Sequence, residues 1–599
     1  NWRIKAGDIS LQNQGSYFLN FNKQVAGLEV EASINKNLNV AASGAVVRGK
    51  FNTYTIVGVE GNQGPYKILG PNNEPAIIII AGSESVYING TKIAIGENKD
   101  YTIDYNLAEI TFNTTYPITN DMRIWIEYQY SDRNYTRFLT YEEINYKTEK
   151  LHVNGYFYSE NDAKNQPLQQ VLSDSQKQIL ANAGNDTSLM FAESAFLDEF
   201  SENKILYKKT QIGAVETFEY STNPNDALYT VTFTNVGANK GNYNLKTTIA
   251  SGNIFEFVGV NMGNYSPIIQ LIAPNKIQVF GVKSNYNPSK KTAFKSEFAV
   301  SNNDANLFSS IDDNQNTALA AKVGWDQVLI DKKWQLKSSI HHEYVNKNFK
   351  TVERWEPVEF NRDWNILTNN ATKNYFQSQL SLQNKKNDFL SYRFEHLNYD
   401  NSFNGNKHDL QSQMKFNKTS VAVNSSFLQN TSASEDNIFL RAKANVEQRF
   451  SKSWLGAFVN LETNDRKDAN ANYINTSHRF KEYEAYLGIG DTAKVFAKIG
   501  YNFRNNDSIK SNQFTEINNR KTIYLNSKLI QNKKTNLTLF ANYRITENNF
   551  TTNEKSLNSK VNYSQKLFKD FVNFNIGYET SSGNVARQDY IYIKTEPGQ

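Results

Sequence analysis

Leu537-Thr538-Leu539-Phe540-Ala541-Asn542-Tyr543-Arg544-Ile545 is apolar at every odd position and polar at 538, 542 and 544. Successive side chains of an extended strand point to opposite faces, so the stretch predicts a β-strand with one apolar and one polar face. The same pattern extends on both sides of it. Val495, Ala497, Ile499, Tyr501 and Phe503 face away from Lys498, Asn502 and Arg504. Leu440, Ala442, Ala444 and Val446 oppose Arg441, Lys443, Asn445 and Glu447. Leu390, Tyr392 and Phe394 oppose Arg393 and Glu395, and near the end Val572, Phe574, Ile576 and Tyr578 oppose Asn573, Asn575 and Glu579.

The connections carry a second signal. Links near 384–388, 417–418, 451–453, 490–493, 531–534 and 568–570 are short, and between them come longer polar stretches at 399–407, 429–437, 463–480, 505–520 and 547–555. Short and long in rotation is the order of turns and loops on an up-and-down membrane barrel. A soluble sandwich has no reason to keep it. The polar faces are crowded with Lys, Arg, Glu, Gln and Asn, which a small packed barrel cannot bury without partners, so a wide, wet lumen is expected. The fold class predicted is all-β, a large antiparallel transmembrane β-barrel of roughly 18–22 strands or more, with inserted small β-domains and one short helix.

Composition agrees. Mean hydropathy is -0.62 and 39% of residues are hydrophobic, yet no continuous apolar run is long enough for a membrane helix. Barrel strands alternate and never need such a run. The absence of Cys excludes a disulfide framework and thiolate metal sites. A net charge of +5 is small for 599 residues and argues against nucleic acid as a principal partner. No signal peptide opens the chain at Asn1, and Glu596-Pro597-Gly598-Gln599 reads as mid-course, so further sequence is expected before Asn1 and after Gln599.

The expected organisation is barrel strands in 1–50, an inserted β-domain in 51–130 that plugs the lumen or hangs into the periplasm, and barrel strands in 131–160. A helix-plus-β insert in 161–290, strands in 291–350, an ordered Trp-containing loop in 351–373 and strands in 374–599 complete it. Within 51–130, Val86-Tyr87-Ile88-Asn89-Gly90-Thr91 carries an Asn-Gly hairpin turn, and Arg123 to Tyr128 alternates strictly. In the second insert, Leu168, Val171, Leu172, Ile179 and Leu180 share one face of a helix predicted over Pro167–Ala183, with Gly184 to stop it.

The run Gly64-Pro65-Tyr66, Gly82-Ser83-Glu84, Asp100-Tyr101-Thr102-Ile103-Asp104-Tyr105-Asn106 and Glu109-Ile110-Thr111-Phe112 resembles a module of very large outer-membrane proteins of the Bacteroidetes. Gly7-Asp8 to Phe18-Leu19, Glu297 to Ser301, Glu359 to Trp364 and the ending Glu596 to Gln599 are similar to the same proteins. The resemblance implies a multi-pass barrel of the Gram-negative outer membrane, set among secretion and surface-assembly machinery, with no catalytic residues.

Candidate chemistry is sparse. His341-His342 sits on a strand, where neighbours face opposite ways and cannot chelate one metal. Asp312, Asn314 and Asn316 place oxygens at alternating positions as a calcium loop does, but the Gly turn and distal Glu are missing, and a solvated acidic loop is the favoured reading. No phosphate loop or nucleophile triad is discernible, so no enzyme and no cofactor are expected. Trp355, Glu359, Arg362 and Trp364 mark an ordered loop and are candidate partner contacts. The expected partners are outer-membrane lipid and other envelope proteins or lipoproteins. The function expected is a translocon or structural subunit of an export or assembly complex. The alternatives are a porin or nutrient transporter with an internal plug, and a surface adhesin.

Overall fold

The structure is a computed structural model that describes residues 1–583 apart from 72, 132–133, 169–170, 367–369, 401 and 569–570. The ending Glu596–Gln599, and Lys569 and Asp570 of the short link expected at 568–570, therefore lie outside the described residues. One antiparallel sheet of 21 strands dominates. Its first five strands are Trp2–Asn13, Phe21–Asn35, Leu38–Val47, Tyr135–Lys147 and Leu151–Pro167. The rest run from Lys276–Ser289 to Val572–Gly583, and each strand pairs with the next in order.

The sheet is a barrel wall with inverted polarity. Phe280, Leu487, Ile523 and Ile576 point outward and are each more than half exposed. Glu343, Glu395, Arg544 and Asn558 point inward and are buried. At one rim the strands are joined by tight turns such as 36–37, 148–150, 290–291, 332–333 and 417–418. At the other rim lie the long connections 14–20, 48–134, 168–275, 305–316 and 346–372.

Three sequence expectations need correction. The polar stretches 399–407, 429–437, 463–480 and 505–520 lie mostly on strands, leaving connections of only 433–434, 469–477 and 511–512 in the last three. Asp507 pairs with Glu516 and Ile509 with Phe514 around Ser511 and Asn512, which both take positive φ. Beyond the apolar girdle both strand faces are polar, so alternation vanishes while backbone pairing continues. Second, Leu151–Pro167 and Lys276–Ser289 belong to the wall, not to an insert over 161–290. Inward Val279 and outward Phe280 are both apolar, which hides the period. Third, the helix is Asp174–Ala183, one turn or more shorter than predicted. Ser173 accepts from the Gln176 N–H and the Gln176 side chain accepts from the Ser173 N–H, a reciprocal cap that starts the helix there. Leu168 and Val171 are left exposed.

The lumen is not uniformly wet. On the side of the first nine strands it is a packed apolar core of Leu11, Phe21, Tyr158, Val279 and Ala320, closed by Phe18 and Leu19 from the connection 14–20. That connection folds around one buried carboxylate. Glu297 accepts from Ser16 Oγ at 2.5 Å, Tyr17 N at 2.9 Å, Phe18 N at 3.0 Å and Tyr156 Oη at 2.8 Å. Removing it strands buried donors, so Glu297→Ala is expected to destabilise by about 2–5 kcal/mol, with Glu297→Gln intermediate. Urea titration of the heat-modifiable gel shift measures both.

Candidate functional site

The segment Gly49–Ser131 is a small domain inside the cylinder. Gly49–Val57 pairs with Arg123–Ser131, which pairs with Ser85–Ile88. Asn89 and Gly90 both take positive φ and turn Ser85–Ile88 onto Thr91–Lys92, as the two-residue Asn-Gly hairpin requires. A second small sheet joins Tyr66–Lys67, Glu109–Phe112 and Tyr101–Asp104. Ile68, Val86, Ile110, Phe112, Ile124, Ile126 and Tyr128 form a core drawn entirely from this domain. Among the described residues that cluster includes none from the wall.

Its contacts with the wall are polar. On one side Asp121 Oδ1 lies 2.5 Å from Arg520 Nη1 and its Oδ2 lies 3.1 Å from Arg504 Nη2. Glu60 Oε1 is 3.2 Å from Arg544 Nε, and Arg544 Nη2 donates to the Ile118 carbonyl at 3.1 Å. Thr114 Oγ1 donates to Glu579 at 2.8 Å. On the other side Gln129 Nε2 donates to the Asn22 carbonyl at 3.0 Å. Strands from both ends of the sheet thus grip the same domain, which plugs the lumen.

The connection 346–372 crosses the lumen as a strap between plug and wall. Glu359 receives Arg123 Nε of the plug at 2.9 Å, and Arg354 pairs with Glu127. Arg362 pairs with Glu462 and Asp363 with Arg441 of the wall. Apolar packing anchors the strap as well. Phe360 and the fully buried Trp364 insert among Leu397, Tyr399, Phe403, Leu428 and Phe439. Trp355 stacks edge-on against Phe349 at 6.1 Å. All four residues picked from the sequence, Trp355, Glu359, Arg362 and Trp364, are therefore engaged with this chain's own plug, strap and wall.

Asp312, Asn314 and Asn316 are not gathered into one oxygen cage. Asp312 Oδ2 accepts from Asn185 N at 2.8 Å beside the helix end, Asn314 is exposed, and Asn316 Nδ2 donates to Asp313 Oδ1 at 3.0 Å. The loop docks the helix of the second insert. Asn306 strengthens that docking by donating to the carbonyls of Leu180 and Gly184.

Between plug, strap and wall lies a cavity of about 410 Å³, bordered by Gly90, Glu359, Arg393, Arg441, Glu462 and Arg504. Seven cationic and five anionic side chains line it, so the lining favours anions. Arg393 and Arg441 were visible in the sequence as polar-face residues. Asp121 and Glu60 were not, because they sit on plug turns with no local pattern to mark them.

A family described as a domain of unknown function (DUF8818) matches residues 51–132, the extent of the plug. No curated protein matches the chain. Among solved structures the chain is similar to OccK5 (OpdH) of Pseudomonas aeruginosa, with 12% identity over 51% of this chain and 93% of that one and a TM-score of 0.24. Acinetobacter baumannii OccAB2 gives 10% identity over 83% and 96%, with a TM-score of 0.25. OccAB3 of the same organism gives 9% over 83% and 100%, with a TM-score of 0.28.

Two outcomes follow from the strap. Trp364→Ala is expected to cost about 3–5 kcal/mol of strap docking and to expose 346–372 to protease. Glu353 joins plug and wall, accepting from Asn22 N at 3.5 Å and Gln129 Nε2 at 3.4 Å. Burial pushes its carboxyl up to about 7, against the opposing pull of Lys23. Its proton is held more tightly when docked, so the contribution is complete below the ordinary carboxyl range and is lost as pH rises through about 7. Protease protection of the strap should therefore fall from pH 5 to pH 8, and Glu353→Gln should flatten that dependence.

Proposed function

We propose that this chain is a plugged channel of the Gram-negative outer membrane, a porin or solute transporter opened when residues 49–131 shift. One observation carries this reading above the others. The plug has a complete core of its own and meets the wall mainly through ion pairs and hydrogen bonds. Such contacts exchange for water or ions without breaking an apolar interface, whereas the strap is anchored by Trp364. The outward apolar girdle supports membrane residence. An exposed apolar surface over most of a wall is what a soluble domain avoids and lipid requires.

Export through, or assembly onto, the same barrel is a second reading. It is favoured by the insert 168–275, which presents Phe196, Leu197, Val260 and Met262 exposed at the long-loop rim. Bacterial envelope proteins or lipoproteins are the partners that reading implies, and co-purification from native membranes tests it.

Val47 and Arg137 are cross-strand partners, so the plug leaves and rejoins the wall at adjacent positions. Excising 49–131 with a short Gly-Ser link should therefore leave the hairpin of Leu38–Val47 with Tyr135–Lys147. In planar bilayers the excised protein should conduct several-fold more than the full chain; a silent excised barrel that still shows the folded gel shift would sink the channel reading. Leu487→Arg, on the outward face, should lower folding free energy in vesicles by about 2–4 kcal/mol if it lies near the bilayer midplane. Asn460→Arg, on the inward face, should cost far less.

A further inference from the structure

Three arginines stand side by side on the inner wall. Arg504 and Arg520 are direct cross-strand partners, and Arg544 pairs with Thr522, two residues beyond Arg520. Like charges placed directly opposite destabilise a strand pair. These three side chains are also only 12%, 11% and 4% exposed, so water does little to screen them. The wall offers Glu482, 3.5 Å from Arg504, and the rest of the row needs anionic charge inserted into it.

The plug supplies that charge from its turns. Asp121 bridges Arg504 and Arg520, while Glu60 lies 3.2 Å from Arg544 and 4.0 Å from Arg520. Burial alone would raise the Asp121 carboxyl, yet the guanidiniums of Arg520 and Arg504 hold it well below the usual carboxylate range. Glu60 is held differently. Its carboxylate is buried, and among the described residues neither oxygen receives a hydrogen bond. It stays by charge attraction alone. Both carboxylates sit outside the strands and core of the plug, so the row meets two tethered anions and not the domain as a whole.

We propose that Arg504, Arg520 and Arg544 form a binding site for a small dianionic solute, and that Asp121 and Glu60 fill it as tethered stand-ins. Solute and plug then compete for the same guanidiniums. Neighbouring strands are about 4.8 Å apart, so the row spans on the order of 10 Å, the reach of a short-chain dicarboxylate. Guanidinium forks take carboxylates in paired hydrogen bonds, which a chloride ion cannot reproduce. The consequence for opening rests on the plugged-channel reading; the binding does not.

The test is calorimetric titration of succinate into detergent-solubilised full-length protein. Removing the tethered competitor in the Asp121→Asn/Glu60→Gln variant should tighten succinate binding at least about tenfold over the unaltered chain, because a short tether acts at roughly millimolar effective concentration. Adding Arg520→Gln should abolish that binding. Equal affinity with and without the two plug carboxylates, or binding that survives Arg520→Gln, overturns the proposal. Should the double variant lose its folded gel shift, tryptic cleavage of 48–134 in the unaltered chain replaces it. Succinate should then speed cleavage over chloride at equal ionic strength, and equal rates overturn the site. Succinate binding by a barrel that never conducts would refute the channel reading and leave the anion site standing.

Discussion

The wall can turn its apolar side chains outward only because each strand finds its backbone partners sideways, in the next strand. In hydrocarbon no water is present to take up an N–H or C=O, so a spanning backbone must be satisfied within the sheet. Among the described residues that holds for the strands between Trp2–Asn13 and Val572–Gly583, with few register shifts, while those two end strands are each paired on one edge. The pleat then dictates the rest. If odd residues such as Leu537 and Tyr543 face out, even residues such as Arg544 face in, and what the lumen must contain follows from the outer surface.

The lumen meets that demand in two ways. Beside the first nine strands the inward residues are themselves apolar, and the connection 14–20 folds in to complete a core around Phe18 and Phe21. Beside the later strands they are charged, and a buried charge without a partner is strongly unfavourable. There the wall alternates its own pairs, such as Lys407 with Glu395 and Arg393 with Asp409, with pairs completed from elsewhere. Arg441 is completed by Asp363 of the strap, and Arg520 by Asp121 of the plug. Strap and plug are counter-ion carriers for a wall that cannot neutralise itself.

The parts legible in the sequence were those that face the apolar exterior. The alternation at Leu390–Glu395 or Val572–Glu579 placed strands and their faces, and the 21 found fall within the expected range. A small β-domain over 51–130 was legible from its own turns, but whether it plugs the lumen or hangs into the periplasm was not. Lys276–Ser289 was read as β-structure of the insert, not of the wall, where Val279 made both faces apolar, and the rim hairpins were lost where both faces became polar. Arg520 fell in a stretch read as loop. Its partner Asp121 lies 399 residues away, and no local spacing reports a contact of that separation. Trp355 to Trp364 could be recognised as ordered, but whether against this chain or another is decided by packing alone.

The contrast between strap and plug sets where motion is cheap. Pulling Trp364 from its pocket opens an apolar cavity that nothing in solution refills, so the strap is a fixed strut. Withdrawing Asp121 and Glu60 leaves Arg504, Arg520 and Arg544 with Glu482, 3.5 Å from Arg504, as their nearby wall carboxylate, a state whose energy depends on what else is in the lumen. Without another anion that state is unfavourable, and the wall's self-repulsion adds to the contacts that hold the plug. With another anion present the repulsion is relieved, and the plug is left with its remaining contacts, such as Arg123 with Glu359 and Gln129 with Asn22. The same three arginines that make the closed lumen stable therefore make its stability conditional on the solution that fills it.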